Sequence, residues 1–128
     1  MKKKYLIVVA DYYKDISKGL LSSAKNILPK SSLIKMINVP GVFEIPVTIS
    51  KNIKKYDAFL ALGCVIKGQT PHFDFISHAS TDAIMKLSVA NKKPIGNGII
   101  TCFNMRQAIA RKKKGREAAE AVISVLSQ

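Results

Sequence analysis

The stretch KGQTPHFD, residues 67–74, places a glycine, a hydroxyl and an imidazole close together directly after an apolar run. Gly68 can adopt backbone conformations with φ above zero, in which consecutive N–H groups face an anion, and Thr70 adds a hydroxyl donor. A helix that begins near His72 would direct its positive end at the same place, and a neutral imidazole there could transfer protons near pH 7. These residues predict an anion-binding turn beside an acid–base group. An ordinary turn with a surface or helix-capping histidine explains them equally well.

A carboxylate stands among apolar residues in a second candidate stretch, NVPGVFEIP, residues 38–46. Glu44 follows Val42 and Phe43 and precedes Ile45, and a carboxylate buried there without partners would be costly. We therefore expect it to accept hydrogen bonds from backbone groups, from a lysine or from a polyhydroxylated ligand. A cap on the following helix is the structural alternative.

Aromatic and cationic side chains complete the set of candidates. Tyr12 and Tyr13 follow the first apolar run and offer a ring on which a flat heterocycle could stack, unless they serve only to pack the core. Arg111 is one of three arginines, and its planar guanidinium suits a bidentate phosphate contact. A solvated helix end is the alternative interpretation of Arg111.

Neither cysteine has the surroundings of a metal ligand or of a disulfide scaffold. Cys64 and Cys102 both lie inside apolar runs, LGCVI and IITCF, which favours buried free thiols over a redox role. His72 and His78 are six residues apart and would not share a helix face, so their spacing is unsuitable for zinc. The sequence predicts no metal site.

The formal charge is strongly positive, +13 for 128 residues, which raises the question of a polyanionic partner. Of the 21 basic residues 18 are lysines, whereas base readout and phosphate clamping favour arginine. The lysines are scattered, and aromatic residues do not interleave them as a base-stacking surface requires. We predict a solvated basic surface and no nucleic-acid partner. A nucleic-acid-binding module is the rival interpretation, and it rests on the charge alone.

The N-terminal stretch MKKKYLIVVADYY has basic residues followed by an apolar run, as a signal peptide does. The run ends at Asp11 without a small-residue cleavage site, and no apolar run in the chain approaches the roughly 20 residues that span a bilayer. We expect a first strand here, no membrane partner and a cytoplasmic protein. The length predicts a single domain, residues 1–128.

Apolar strands and amphipathic helices alternate along the chain, and these elements must position the candidate residues. The predicted strands cover residues 4–10, 32–39, 56–66 and 94–103. The predicted helices run from Ile16 to a stop at Pro29, from near Pro46 through Ile53, from His72 or Phe73 to near Asn91, and over a closing region from Ala108 to Leu126 that is broken around Lys113 to Gly115.

Such alternation implies parallel strands joined by right-handed crossovers, with helices on both faces of the sheet. We therefore predict an α/β fold, a three-layer α/β/α sandwich with a four-stranded parallel sheet of flavodoxin-like type. Small-molecule sites in such sheets lie at the carboxyl ends of the strands. That rule selects Asp11–Tyr13, Pro40–Glu44, Lys67–His72 and the residues from Asn104 onward.

These stretches together resemble one family, the lumazine synthases. VPGVFEIP is similar to the family signature VPGAFEIP, and YDAFLALGCVIKGQTPHFDF is similar to YDAVIALGxVIRGxTPHFDY. PIGNGIIT, QAIAR and KGREAA are similar to the family's fourth strand and closing helices. The resemblance implies a transferase of riboflavin biosynthesis that condenses 5-amino-6-(D-ribitylamino)uracil with 3,4-dihydroxy-2-butanone 4-phosphate to 6,7-dimethyl-8-ribityllumazine, releasing phosphate and water. It also implies no cofactor, no metal, and sites between adjacent subunits of a homopentamer.

The resemblance further implies roles for individual residues. His72 is the implied acid–base residue. Binding of the ribitylaminouracil is implied for Tyr12, Val42, Phe43, Glu44, Cys64, Val65, Ile66 and, from the neighbouring subunit, Asn97. Phosphate binding is implied for Gln69, Thr70 and, from the neighbouring subunit, Arg111, with supporting roles for Lys114 and Glu117.

Three features depart from the family pattern. Asn97 stands where a phenylalanine is common, the segment between Arg111 and Lys114 is shorter, and Asp11 stands where the pattern has arginine. The first change removes a ring-on-ring contact, and the second bears on how far Arg111 can reach. They keep open an alternative with the same fold, a catalytically weak homologue that binds flavin or lumazine.

Overall fold

A four-stranded sheet forms the centre of the protein in a computed structural model that describes residues 2–128. The strands are β1 (Lys4–Ala10), β2 (Leu33–Val39), β3 (Ala58–Ile66) and β4 (Ile95–Cys102). They lie in the order β2-β1-β3-β4, and every neighbouring pair is parallel. The predicted parallel sheet is confirmed, with each strand end within two residues of its predicted place.

Within residues 2–128, five α-helices cover the two faces of this sheet: α1 (Lys14–Lys25), α2 (Ile45–Lys51), α3 (His72–Asn91), α4 (Met105–Arg111) and α5 (Gly115–Leu126). One apolar core joins α1, α4 and α5 to the sheet, and a second core joins α2 and α3 to the opposite face. The three-layer α/β/α sandwich is therefore confirmed, and its strand order is that of flavodoxin-like sheets. Over the same residues, every helix is too short or too polar to cross a membrane.

Burial distinguishes the central strands from the edge strands. β1 and β3 bury nearly all their side chains, as their unbroken apolar runs predict. β2 lies at one edge and exposes Leu33, Ile34 and Met36. β4 lies at the other edge and alternates buried with more exposed residues, which turns Asn97 and Thr101 outward.

Helix boundaries depart from the prediction by a few residues, and α1 and α4 begin earlier, at Lys14 rather than Ile16 and at Met105 rather than Ala108. α1 ends at Lys25, before it reaches Pro29. A 3-10 turn over Val42–Glu44 precedes α2, and α2 ends at Lys51 and does not reach Ile53. The 3-10 turn matters for the site, because it directs its three consecutive side chains to different sides.

The predicted break in the closing helical region is confirmed, since α4 ends at Arg111 and α5 begins at Gly115. A Cβ atom at Gly115 would overlap the backbone carbonyl of Leu20 in α1. Glycine is therefore required at this position for α1 and α5 to pack as closely as they do.

Candidate active site

Three of the four predicted strand-end stretches meet at one crevice of about 330 Å³, which we call the His72 crevice. It lies beyond the carboxyl ends of β1 and β3, where parallel sheets place their ligands. Its lining comprises Tyr12, Tyr13, Gly41, Val42, Cys64, Val65, Ile66 and His72. The fourth stretch has another role, because Asn104 Oδ1 accepts a hydrogen bond from the Gln107 amide and so caps α4.

The segment that follows β1 presents two aromatic rings to the His72 crevice. Ser17 Oγ donates to the carbonyl oxygens of Ala10 at 2.7 Å and Tyr13 at 3.0 Å, which fixes the turn between β1 and α1. The Tyr12 and Tyr13 rings meet edge to face with centroids 4.9 Å apart, and Tyr12 is 75% exposed. An exposed ring held in this way can stack on a flat heterocycle.

A glycine in the middle of β3 shapes the floor of the crevice. A Cβ atom at Gly63 would lie 2.8 Å from Val42 Cγ2 and 3.1 Å from Ala10 Cβ. Because glycine leaves this space free, the 3-10 turn packs directly on the sheet and Val42 is buried. A larger residue at position 63 would overlap Val42 and Ala10 and so change the shape of the crevice.

The turn Lys67–Pro71 leads into α3 directly beside this crevice. Gln69, Thr70 and His72 are exposed, and the backbone N–H of His72 donates to Thr70 Oγ1 at 3.4 Å. His72 is the first residue of a 20-residue helix, so the free N–H groups and the positive dipole end of α3 lie at this turn. An anion bound at Gln69 and Thr70 would therefore lie next to the imidazole.

Gly68 does not adopt the positive-φ conformation that glycine permits. No glycine among residues 2–128 has a positive φ, so the turn does not use the conformation that favours glycine. A Cβ atom at Gly68 would meet no other atom within 4 Å. An anion at this turn would consequently meet the helix N-terminus and the Thr70 hydroxyl rather than a left-handed residue.

The side chains of residues 42–44 lie in different places. Phe43 is 68% exposed and, together with Glu44, lines a separate groove of about 390 Å³ between α2 and α3. In the part of the chain that the structure describes, the half-buried Glu44 carboxylate accepts no hydrogen bond, and it does not cap α2. Of the partners that the sequence left open, neither the backbone nor a lysine is used in the described chain, which leaves the polyhydroxylated ligand.

Cys64 supplies an apolar wall to the His72 crevice. Cys64 and Cys102 are both buried free thiols, as predicted. Burial first, and the neighbouring Cys102 second, raise the pKa of the Cys64 thiol to about 12. The thiol is therefore protonated at neutral pH, and a protonated thiol is a weak nucleophile. Val65 and Ile66 extend the same wall toward the turn.

The remaining predicted site residues line a different crevice of about 300 Å³ along the outer edge of β4, which we call the Arg111 crevice. They are Asn97, Arg111, Lys114 and Glu117. Arg111 Nη1 donates to the carbonyl oxygen of Thr101 at 3.3 Å, which holds the guanidinium against β4. Lys114 Nζ lies 3.4 Å from a carboxylate oxygen of Glu117. The shortened segment after Arg111 thus still leaves this side chain in one crevice with Asn97.

The side chain of Asn97 is held by a hydrogen bond and does not project freely into the Arg111 crevice. Its Oδ1 accepts a hydrogen bond from the Ile99 amide at 3.0 Å, so the side chain is folded back on its own strand. The departure from phenylalanine therefore replaces a projecting ring by a compact polar group. A ligand at this position meets less apolar surface.

Sequence reasoning selected the stretch that contains Gly41 but missed Gly63 and Thr101, two residues that shape the crevices. Gly41 lines the His72 crevice, Gly63 shapes its floor, and the Thr101 carbonyl anchors Arg111. A signal existed for Thr101, because it follows Asn97 at the even spacing that shares one face of a strand. For Gly63 the reason is a contact with a residue far away in the chain, which local sequence does not reveal.

Comparisons with known proteins agree on one family. The family model for 6,7-dimethyl-8-ribityllumazine synthase matches residues 2–128. A protein of that name from Methylorubrum extorquens (strain PA1) is 42% identical, over 97% of this chain and 79% of the relative. Relatives of the same name are 42% identical in Bartonella bacilliformis, over 95% of this chain and 87% of the relative, and 41% identical in Agrobacterium fabrum, over 98% and 95%.

Proposed function

This chain belongs to the 6,7-dimethyl-8-ribityllumazine synthase family, and from that premise we propose how its two crevices carry out the family's reaction. The protein is a transferase of riboflavin biosynthesis. It condenses 5-amino-6-(D-ribitylamino)uracil with 3,4-dihydroxy-2-butanone 4-phosphate to 6,7-dimethyl-8-ribityllumazine and releases phosphate and water. The observation that carries the placement is the His72 crevice, which joins an exposed ring, an apolar wall and an imidazole at the carboxyl edge of the sheet.

The ribitylaminouracil occupies the His72 crevice. Its pyrimidine ring stacks on the exposed Tyr12 ring and lies against Val42 and the wall formed by residues 64–66. The ribityl chain runs along the 3-10 turn, where the unpaired carboxylate of Glu44 accepts hydrogen bonds from its hydroxyl groups. Phe43 is exposed beside Glu44 and covers the chain from outside.

The phosphate of the second substrate binds at the turn that leads into α3. Gln69 and Thr70 supply side-chain donors there, and the N-terminus of α3 supplies backbone N–H groups and its positive dipole end. The guanidinium of Arg111 from the neighbouring subunit adds a charged donor. The formal charge of +13 raises the local concentration of an anionic substrate without any nucleic-acid role.

His72 moves the protons of the reaction. The amine attacks the ketone and water leaves to form an imine, phosphate is then eliminated, and the ring closes with further loss of water. Each of these steps transfers a proton near neutral pH, and an imidazole that both accepts and donates can mediate all of them. Holding two substrates side by side supplies much of the remaining acceleration, and the donors around the phosphate stabilise it as it leaves.

A neighbouring subunit completes each site. His72 and Arg111 line two separate crevices of one chain, so they meet when the Arg111 crevice of one subunit faces the His72 crevice of the next. The exposed Tyr12 and Phe43 rings are consistent with such an edge. The assembly is a homo-oligomer built of pentamers, and Asn97, Lys114 and Glu117 face the site from the neighbour.

Incubation of the purified oligomer with both substrates tests the proposed function. The expected result is the absorbance of the lumazine appearing faster than in the uncatalysed mixture, with an equal yield of phosphate. A folded oligomer that only matches the spontaneous rate would contradict it. If that oligomer also binds lumazine or flavin tightly, the alternative of a catalytically weak homologue holds, and the folded-back Asn97 is its structural basis.

A further inference from the structure

Few interactions hold the turn Lys67–Pro71 in place. Its central residues, 68–70, are exposed, and across the described chain none of their three backbone amides donates a hydrogen bond. The Lys67 amide donates to the Cys102 carbonyl oxygen at 2.8 Å, which ties only the start of the turn to β4. The rest of the turn needs a contact of another kind to stay in one geometry.

Phe103, the first residue after β4, lies beside Lys67, which opens this turn, and beside Phe73 in the first turn of α3. The Lys67 ammonium nitrogen lies 5.4 Å from the centroid of the Phe103 ring, within the range of a cation–π interaction. The ring of Phe73, the residue after His72, lies 6.3 Å from the Phe103 ring between centroids, at an angle of 35°. One ring therefore bridges the residue that opens the turn and the residue that follows the histidine.

The backbone beneath this ring is firmly held. The Phe103 amide donates to Gln107 Oε1 at 2.8 Å, and the Gln107 amide donates to Asn104 Oδ1 at 2.9 Å. This reciprocal pair resembles the capping box of a helix N-terminus, here that of α4. Phe103 is thus fixed to the junction of β4 and α4, although its side chain is 64% exposed.

We propose that Phe103 is a positioning residue for the reaction, whose ring holds the anion-binding turn and His72 in their binding geometry through Lys67 and Phe73. The ring need not touch substrate. The ring restricts the turn to few conformations before the phosphate binds, so less conformational entropy is lost on binding. Such preorganisation improves affinity. This inference rests on the phosphate-binding role proposed for the turn.

Inorganic phosphate is the probe of this site. Phe103→Ala should weaken inhibition by phosphate by about fivefold, since contacts of these two kinds are each worth roughly a two- to tenfold factor. The KM of the phosphate-bearing substrate should rise by a similar factor, while the KM of the ribitylaminouracil stays unchanged. Phe103→Tyr should restore wild-type inhibition, whereas Phe103→Leu, which keeps apolar bulk without a ring, should not.

Phe75→Ala is the matched control, because it removes a ring of α3 that is similarly exposed, at 68%, and that is not paired with the Phe103 ring in residues 2–128. It should leave phosphate inhibition at the wild-type value. Equal phosphate inhibition in wild type and Phe103→Ala would overturn the proposal. If the alanine variant does not fold, equal inhibition in Phe103→Tyr and Phe103→Leu would overturn it.

Hydrogen exchange provides a readout that does not depend on activity. The amides of Lys67 and Phe75 are hydrogen-bonded at the two ends of the turn, at 2.8 and 3.2 Å, and they should exchange faster in Phe103→Ala. Unchanged exchange at both amides would overturn the positioning role proposed for Phe103. Faster exchange in a protein that lacks synthase activity would support the positioning role of Phe103 and refute only the proposed function.

Discussion

The imidazole of His72 and the thiol of Cys64 share one crevice but are suited to different tasks. His72 is exposed at the first residue of α3, where it can exchange protons with a ligand. Cys64 is buried and its pKa is raised to about 12, mainly by that burial, so it offers apolar contact. At the residue scale, the proposed mechanism therefore assigns the proton transfers to His72 and substrate binding to the neighbouring side chains.

His72→Ala should lower kcat by about a hundredfold, the low end of the range for general acid–base catalysis, and change both KM values little. Steady-state kinetics with each substrate varied in turn measures this split. His78→Ala is the matched control, because it removes the only other histidine, which is exposed further along α3. A folded His72→Ala oligomer with wild-type kcat would remove His72 from the mechanism.

The raised pKa of Cys64 should make the protein less stable at alkaline pH. Below pH 9 the thiol is protonated in the folded and in the unfolded chain. Between pH 9 and about 12 the unfolded chain loses this proton while the folded chain keeps it. The free energy of unfolding should therefore fall as pH rises, by at most about 1.4 kcal/mol per pH unit for one proton. Urea denaturation at several pH values measures the slope.

Cys64→Ala is the variant that isolates this contribution, since it lacks the thiol. Its free energy of unfolding should fall less steeply above pH 9 than that of the wild type, while the two slopes agree at lower pH. Identical slopes above pH 9 would show that the thiol ionises equally readily in the folded and unfolded chains.

At the scale of elements, the strands and most helix ends were predictable because their signals are local. β1 and β3 are continuous apolar runs, and the break before α5 coincides with the lysine cluster and Gly115. The 3-10 turn before α2 was not predictable, since it depends on Val42 packing against Gly63, which lies far away in the chain. The same turn explains why Glu44 lacks the protein partners that its apolar neighbours had suggested.

Gly115→Ala tests the packing of α1 against α5. Its Cβ atom would overlap the Leu20 carbonyl, so the helices must separate, and we expect a loss of about 1–3 kcal/mol in the free energy of unfolding. Gly68→Ala is the matched control, because its Cβ meets only open space and its φ is not positive. The control should change stability by less than about 1 kcal/mol. Urea denaturation that finds Gly115→Ala as stable as the wild type would contradict this packing.

At the scale of the whole molecule, one chain carries the residues proposed for one reaction in separate crevices. The His72 crevice lies past the ends of the central strands, and the Arg111 crevice lies along the free edge of β4. Sequence similarity supplied the expected site residues, but spacing along the chain could not tell that they line separate crevices. A single domain, a cytoplasmic location and the absence of a nucleic-acid partner stay predictions.

Subunit complementation tests most directly whether each site combines the two crevices from different chains. His72→Ala and Arg111→Ala, each nearly inactive at low concentrations of the phosphate-bearing substrate, are co-expressed and the mixed oligomers are isolated. Random assortment in a symmetric assembly should restore roughly a quarter of the sites, and activity in that proportion. Mixed oligomers, verified by native mass, that are no more active than the separate variants would contradict a site shared between subunits.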